Sequence, residues 1–291
     1  HKDFQSFALP TELRHQLLNC GCKYKFIFIK HKKKRYKNCF CKFTALINIM
    51  NLIVDVGNSY VKFALFQSYE LIDKVFFKLE DFEKEFKIIL KKHEKINRCI
   101  VSSVGKLNTS HLKAIQKKLD VLVLDSNTKL PFKNLYDTPK TLGVDRIALV
   151  SASVKQFPDN NALIIDAGTC ITYDFINIEN EYLGGAISPG IRMRYKALNN
   201  LTANLPLLDT ELPKDFIGTA TDSSIHSGVV NGILKEIDGV IDQYEEKYPH
   251  LTVILTGGDA NFLSKQLKNS IFANSNFLLE GLNFILEFNS N

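Results

Sequence analysis

Two short apolar runs in this chain each end in an acid and a glycine turn. Asn51-Leu52-Ile53-Val54 is followed by Asp55-Val56-Gly57-Asn58-Ser59, and Ala162-Leu163-Ile164-Ile165 by Asp166-Ala167-Gly168-Thr169-Cys170. In both places a buried-type strand delivers a carboxylate, turns at glycine and resumes as strand. A glycine turn lets backbone amides approach phosphate oxygens with no Cβ in the way. Asn58, Ser59 and Thr169 add side-chain donors, and Lys62 on the returning strand complements phosphate charge. Asp55 and Asp166 offer the oxygen ligands that hard cations prefer. An ordinary hairpin accounts for one such turn. Two of them, 111 residues apart and each heading a strand meander, point to a nucleotide phosphate tail gripped between two halves of the chain.

The remaining periodicity supports two halves. From Met50 the order is strand, turn, strand, strand, helix, strand, helix, strand. Val61, Phe63 and Leu65 alternate as a strand face, Leu71 to Phe77 reads as a third strand, and Asp81 to Ile96 has helical spacing. Cys99 to Val101 and Val121 to Leu124 read as strands separated by a helix over Leu112 to Leu119. The order restarts at Ala162 to Asp166, Ile171 to Ile176 and Tyr182 to Ile187. One long helix is expected from about Asp222 to Tyr248, with an apolar stripe through Ile225, Val229, Val230, Ile233, Ile237, Val240 and Ile241. Thr221 or Asp222 is its expected N-cap. Leu251 to Leu255 reads as a strand, Asp259 as the cap of the following helix, and Phe277 to Phe288 as a closing helix. Two mixed sheets facing each other across a cleft are expected, in halves 50–157 and 158–291.

Charge separates residues 1–49 from the rest. They hold 11 Lys/Arg against Asp3 and Glu12, whereas the remaining 26 Lys/Arg face 29 Asp/Glu. The body is mildly acidic, which gives no case for nucleic-acid binding. No apolar run approaches the roughly 20 residues that span a bilayer. Four of six cysteines also fall early, at Cys20, Cys22, Cys39 and Cys41. The leading expectation is that 1–49 is sequence upstream of a true start at Met50. A disordered basic extension and a zinc module come after it, since zinc ligands more often stand two to four residues apart. Cys99 and Cys170 alone in the body fit a reducing cytoplasm.

Between the halves lies Tyr136-Asp137-Thr138-Pro139-Lys140-Thr141-Leu142-Gly143-Val144-Asp145-Arg146, running into an apolar helix. Asp145 reads either as a helix-start acid in a surface pair with Arg146 or as a general base for a substrate hydroxyl. In the second reading Arg146 clamps an anionic group. Gly184-Gly185-Ala186-Ile187-Ser188-Pro189-Gly190 lines a substrate pocket or makes a tight corner. Thr256-Gly257-Gly258-Asp259 is placed to pass beneath an adenine and ribose, or merely to pack a helix on a strand.

Together these segments resemble the type III pantothenate kinase family, within the superfamily of actin, sugar kinases and heat-shock chaperone ATPases. The resemblance covers 50–291 and rests on five motifs in order. They are Asp55 to Lys62, Tyr136 to Arg146, Asp166 to Thr169 with Thr172 and Asp174, Gly184 to Gly190, and Gly218 to Thr221. It implies an α/β fold of two RNase H-like (actin-like ATPase) domains, each a mixed sheet flanked by helices, with the active site in the cleft between them. It implies that Asp55, Val56, Gly57, Asn58, Ser59, Tyr60, Val61, Lys62 and Thr169 bind ATP. Asp145 is then the proton acceptor for the pantothenate hydroxyl, and Tyr136, Gly143, Val144, Asp145, Arg146 and Thr221 contact pantothenate. Asp166 helps hold a monovalent cation, potassium or ammonium, alongside magnesium-ATP. The family is homodimeric, with substrate sites near the subunit interface, and performs the first step of coenzyme A synthesis in the cytoplasm. Departures are Thr219 and Ala220, where the family often has Asn, and Cys170. The rival readings are a non-catalytic relative of the same fold, a superfamily kinase or ATPase with another substrate, and a purely structural αβ protein.

Overall fold

The chain builds two sheets of matching strand order, as seen in a computed structural model that describes residues 50–57, 60–103 and 107–290. The expectation for 1–49 lies outside the described residues. The first half runs β1 (Met50–Val56), β2 (Val61–Gln67), β3 (Glu70–Phe77), α1 (Phe82–Lys92), β4 (Ile96–Ser103), α2 (Thr109–Gln116) and β5 (Asp120–Val123). After β6 (Lys133–Asn134) and α3 (Val144–Gln156) come β7 (Ala162–Ala167), β8 (Cys170–Ile176), β9 (Glu181–Pro189) and α4 (Ile191–Asn200). The chain closes with α5 (Thr221–His226), a π turn (Ser227–Asn231), α6 (Gly232–Lys247), β10 (Thr252–Thr256), α7 (Ala260–Leu263), β11 (Phe272–Ala273) and α8 (Phe277–Phe288).

The first sheet has the order β3-β2-β1-β4-β5 and the second β11-β10-β7-β8-β9-β6. In each, an antiparallel meander is extended by parallel strands on the side of its first strand. β1 and β7 are therefore central, and central strands are covered on both faces. This is why Leu52 to Val56 are all buried, while the edge strand β3 alternates between exposed and half-buried.

Alternation along β1 divides its side chains between two cores. Leu52, Val54 and Val56 pack with Phe82, Phe86 and Ile89 of α1 and Ile115 of α2. Ile53, one residue out of phase, packs with α3 and α8. That middle core also takes in Ala162 and Ile164 of β7 and Ile254 of β10, so α3 and α8 lie between the two sheets. The far face of the second sheet packs on α4, the π turn and α6 through Tyr195, Val229, Ile233 and Ile237. The result is five layers: helices, sheet, helices, sheet, helices.

One buried polar seam ties the last helix to the first strand. Asn51 and Asn283 are both buried, and Asn51 Nδ2 donates to Asn283 Oδ1 at 2.8 Å and to Glu287 Oε1 at 2.6 Å. Arg98 Nε donates to Asn51 Oδ1 at 3.1 Å, and its guanidinium also pairs with Glu287. Each amide thereby meets a partner that burial would otherwise deny it.

Three local expectations are corrected. The long helix is interrupted by the π turn, where adjacent Val229 and Val230 are both buried. Its N-cap is Ala220, which holds the last extended backbone (φ −144°, ψ 164°), so Thr221 and Asp222 are already helical. Ser223 supplies the local bond instead, accepting from the Ala220 amide at 3.0 Å. Asp259 does stand at the N-cap of α7, but its side chain makes no cap bond. The helix α4 and the two-residue strands β6 and β11 were not anticipated.

Candidate active site

Asp55 stands near the end of β1, directly across from Lys62 on β2 and beside Ser102 on β4. It is buried, and Lys62 Nζ lies 3.1 Å from its Oδ2. Burial pushes the Asp55 carboxyl above its ordinary value, Lys62 pulls it back, and the charge of Asp145 adds to the rise. The turn after it closes with the Gly57 amide donating to Tyr60 O at 3.1 Å. Asn58 and Ser59 lie outside the described residues. Val56 and Val61 point into the first core, and Tyr60 is exposed. Ser102 escaped the sequence reading, because its place beside Asp55 depends on a parallel pairing across 47 residues.

The second turn is tighter, with the Gly168 amide donating to Cys170 O at 2.9 Å. Thr169 is exposed on it. Both other glycine-rich segments clasp this turn. The Gly190 amide donates to Thr169 O at 3.1 Å, and a Cβ on Gly190 would lie 2.2 Å from Gly168 O. The Asp259 amide donates to Ala167 O at 3.0 Å. Gly257, at φ +95°, comes so near that a Cβ there would stand 2.3 Å from Ala167 O. The two segments, whose role the sequence left open, brace the backbone that carries Asp166. Burial raises the Asp166 carboxyl to about 7, helped by the charges of Asp145, Asp174 and Asp55 and opposed by Lys62.

The charge of Asp145, in the middle segment, acts on both Asp55 and Asp166. Asp145 occupies the first turn of α3, where its Oδ1 accepts from the Arg146 amide at 2.9 Å. It is half-buried behind the N-cap residue Gly143, with Val144 beside it. The expected surface pair with Arg146 is overturned. Arg146 is buried, and its Nε donates to Asp174 Oδ1 at 2.8 Å across to β8. Asp174 is fully buried and also accepts from Tyr182 OH at 2.7 Å and Thr172 Oγ1 at 3.1 Å. Tyr136 stacks on Tyr182 with ring centroids 6.1 Å apart, and the Arg146 guanidinium lies 5.5 Å from the Tyr136 centroid. Tyr182 was not singled out in the sequence, since nothing local distinguishes it from a core aromatic.

Thr221 lines a groove of about 1020 Å³ between α4 and the α5–π turn segment, with Arg194, Leu198, Leu201, Ser224 and Val229. None of the acids named above lines that groove.

Four acids, Asp55, Asp145, Asp166 and Asp174, are thus set against Lys62 and Arg146, each of which already faces one of them. Among the described residues no three His, Cys, Asp or Glu side chains converge as a ready-made metal cage. The arrangement offers two glycine turns for an anionic chain, surplus carboxylate for cations that arrive with it, and Asp145 as an acceptor for a proton.

Comparison with known proteins agrees with this geometry. The sequence family described as type III pantothenate kinase matches residues 51–243. A type III pantothenate kinase from Christiangramia forsetii is 54% identical over 240 residues, covering 82% of this chain and 99% of the relative. One from Bacteroides fragilis is 43% identical over 242 residues, covering 83% and 99%. Among solved structures, a Baf family protein from Campylobacter jejuni superposes with a TM-score of 0.55 at 23% identity, over 82% of this chain and 98% of that one. A ROK hexokinase from Thermus thermophilus superposes with a TM-score of 0.50 at 11% identity, over 83% and 100%, a likeness of fold alone. The fold is that of the two-domain actin-like sugar kinases, and the chain belongs to the type III pantothenate kinase family.

Proposed function

We propose that the chain phosphorylates pantothenate with ATP, giving 4'-phosphopantothenate and ADP, the first step of coenzyme A synthesis. The observation that supports this reading is that the charge of Asp145, the expected proton acceptor, acts on both Asp55 and Asp166, the acids of the two glycine turns. Phosphoryl transfer asks a protein for positioning, charge neutralisation and an acceptor for one proton. The turn at 55–62 and Thr169 take the ATP phosphates, and Lys62 faces their charge. Asp145 accepts the hydroxyl proton as the pantothenate oxygen bonds to the γ-phosphorus and the bond to ADP breaks. Tyr136, the 143–146 segment and Arg146 hold the acceptor in line. The halves 50–157 and 158–291 act as the two domains that grip the nucleotide.

The donor set fits the cations such a reaction uses. Burial first raises the Asp166 carboxyl, and the charges of Asp145, Asp174 and Asp55 add to the rise against Lys62. Mg²⁺ keeps several waters and needs one or two carboxylates beside the substrate phosphates, so a missing protein cage is no obstacle to it. Asp55 and Asp166 are the residues that would hold it, and Asp166 the one that would hold a potassium or ammonium ion. Bound there, the cations neutralise charge on the transferred group.

Thr221 reaches a substrate in this reading through a homodimer, as Asp145 does not line the groove that Thr221 lines. Exposed Leu201, Phe216 and Ile217 near that groove support a covered face. No helix among the described residues is long and apolar enough to cross a membrane, which is compatible with a cytoplasmic enzyme. The test is ATP-dependent phosphorylation of pantothenate by the whole chain, with potassium and sodium compared. Absence of turnover in both salts refutes the reading; turnover in potassium that falls in sodium supports both it and the monovalent cation.

A further inference from the structure

The Arg146–Asp174 pair is an unusual one, and its oddity points outward. A guanidinium facing a carboxylate ordinarily closes a two-bond fork. Here both carboxylate oxygens are already engaged by hydroxyls, Oδ1 by Tyr182 at 2.7 Å and Oδ2 by Thr172 at 3.1 Å. Arg146 bonds through Nε to the Oδ1 that Tyr182 also uses, while Thr172 stands on Oδ2, the oxygen a fork would need. Its Nη2 lies 2.8 Å from the same Oδ1 without alignment, and it is buried with no hydrogen-bond acceptor among the described residues. A buried cation with an unmet donor is costly unless something supplies the acceptor. The rings of Tyr136 and Tyr182, 5.5 and 6.0 Å from the guanidinium, stabilise its charge, and the Tyr136 hydroxyl adds to that stabilisation without meeting Nη2.

We infer that Asp174 and Tyr182 are positioning residues that hold Arg146 by one edge and reserve its other edge for an oxygen of the substrate. The identity of that oxygen rests on the pantothenate kinase reading, in which it belongs to the acceptor's carboxylate end. Tyr182 acts twice. Its hydroxyl fixes the same Oδ1 that Arg146 Nε bonds, and its ring seats Tyr136. Thr172 and Asp174 on β8 and Tyr182 on β9 belong to the second sheet, whereas Arg146 follows Asp145 on α3. The same contact thus fixes the start of α3 relative to the sheet that carries Asp166.

Two variants test this. Tyr182→Phe keeps the ring and removes the hydroxyl; Asp174→Asn keeps an acceptor and removes the charge. Loss of a hydrogen bond in a charged network corresponds to about tenfold in binding. Both variants are expected to raise the KM for pantothenate about tenfold while the KM for ATP stays within twofold. Both are expected to narrow the preference for pantothenate over its neutral alcohol analogue. A merely structural role would instead move both KM values and kcat together, and that pattern, or an unchanged pantothenate KM in folded variants, overturns the inference. A second measurement needs no turnover. The Arg146 Nε–H resonance, assigned by its loss in Arg146→Lys, is expected to exchange slowly in the native chain and faster in both variants. Equal protection in all three refutes the positioning role, whereas failure of the native chain to phosphorylate pantothenate refutes only the substrate assignment.

Discussion

Gly257 and Asp166 are packed so closely that a Cβ on the glycine would stand 2.4 Å from the aspartate's Oδ1. The glycine also holds φ +95°, a conformation L side chains rarely adopt. Gly257→Ala is therefore expected to cost about 1–3 kcal/mol of stability and to displace the Asp166 carboxylate, lowering kcat at least tenfold. Gly258→Ala is the internal control, because a Cβ there meets nothing within 4 Å. Thermal unfolding and steady-state kinetics on the two variants check this; equal behaviour would contradict it.

Asp166 also gives the stability of the chain a pH dependence. Its carboxyl is raised to about 7 by burial and by the charges of Asp145, Asp174 and Asp55. An unfolded Asp titrates near 4, so the folded chain binds the extra proton between those values. The contribution is full below about pH 4 and is lost as pH rises through about 7. Asp166→Asn removes that loss. It is expected to be inactive yet more stable than the native chain at pH 8, by on the order of 1–3 kcal/mol, with the gain vanishing near pH 4. Denaturant midpoints at the two pH values, without nucleotide or potassium, measure it. A variant no more stable at pH 8 would show that Asp166 carries no such penalty.

What the sequence made legible was what is local. Asp55 and Asp166 were readable because acid, glycine and apolar run are contiguous, and a strand–turn–strand fixes their relation within a few residues. The closing helix Phe277–Phe288 was readable because its apolar spacing is continuous. The helix Ile191–Asn200 was not, since it buries only Ile191 and Tyr195 beneath an otherwise polar face. Arg146 showed the deeper limit. Its neighbour Asp145 is adjacent in the chain, but its partner Asp174 is 28 residues away and reaches it only when β8 packs near α3. The same limit hid Ser102 and Tyr182, whose meaning comes from neighbours in space.

The seam between the first strand and the last helix separates stability from chemistry. Asn283 accepts from Asn51 Nδ2 and donates to Ser68 O at 2.7 Å. Asn283→Ala strands a buried amide and is expected to cost about 1–3 kcal/mol. The seam involves no residue assigned to the site, so both KM values and kcat are expected to stay within twofold. Urea unfolding beside steady-state kinetics tests both halves of the expectation, and a changed pantothenate KM would mean that α8 sets the site geometry.

Asp145 is the residue on which transfer, as opposed to binding, depends in the proposed reaction. It lies in the first turn of α3, its Oδ1 tied to the Arg146 amide, and its charge is felt at both Asp55 and Asp166. Asp145→Asn preserves the shape and the amide contact and removes the basic oxygen. General-base assistance contributes about 10²–10⁴-fold, so kcat is expected to fall by that factor while ATP affinity, which the proposal assigns to the turns at 55–62 and 169, holds or rises slightly. A rise is reasonable because one negative charge near the phosphates is gone. Nucleotide titration followed by single-turnover transfer separates the two effects. Near-native transfer in Asp145→Asn would remove Asp145 from the base role, and a loss of ATP binding matching the loss of transfer would make it a structural acid of the helix start.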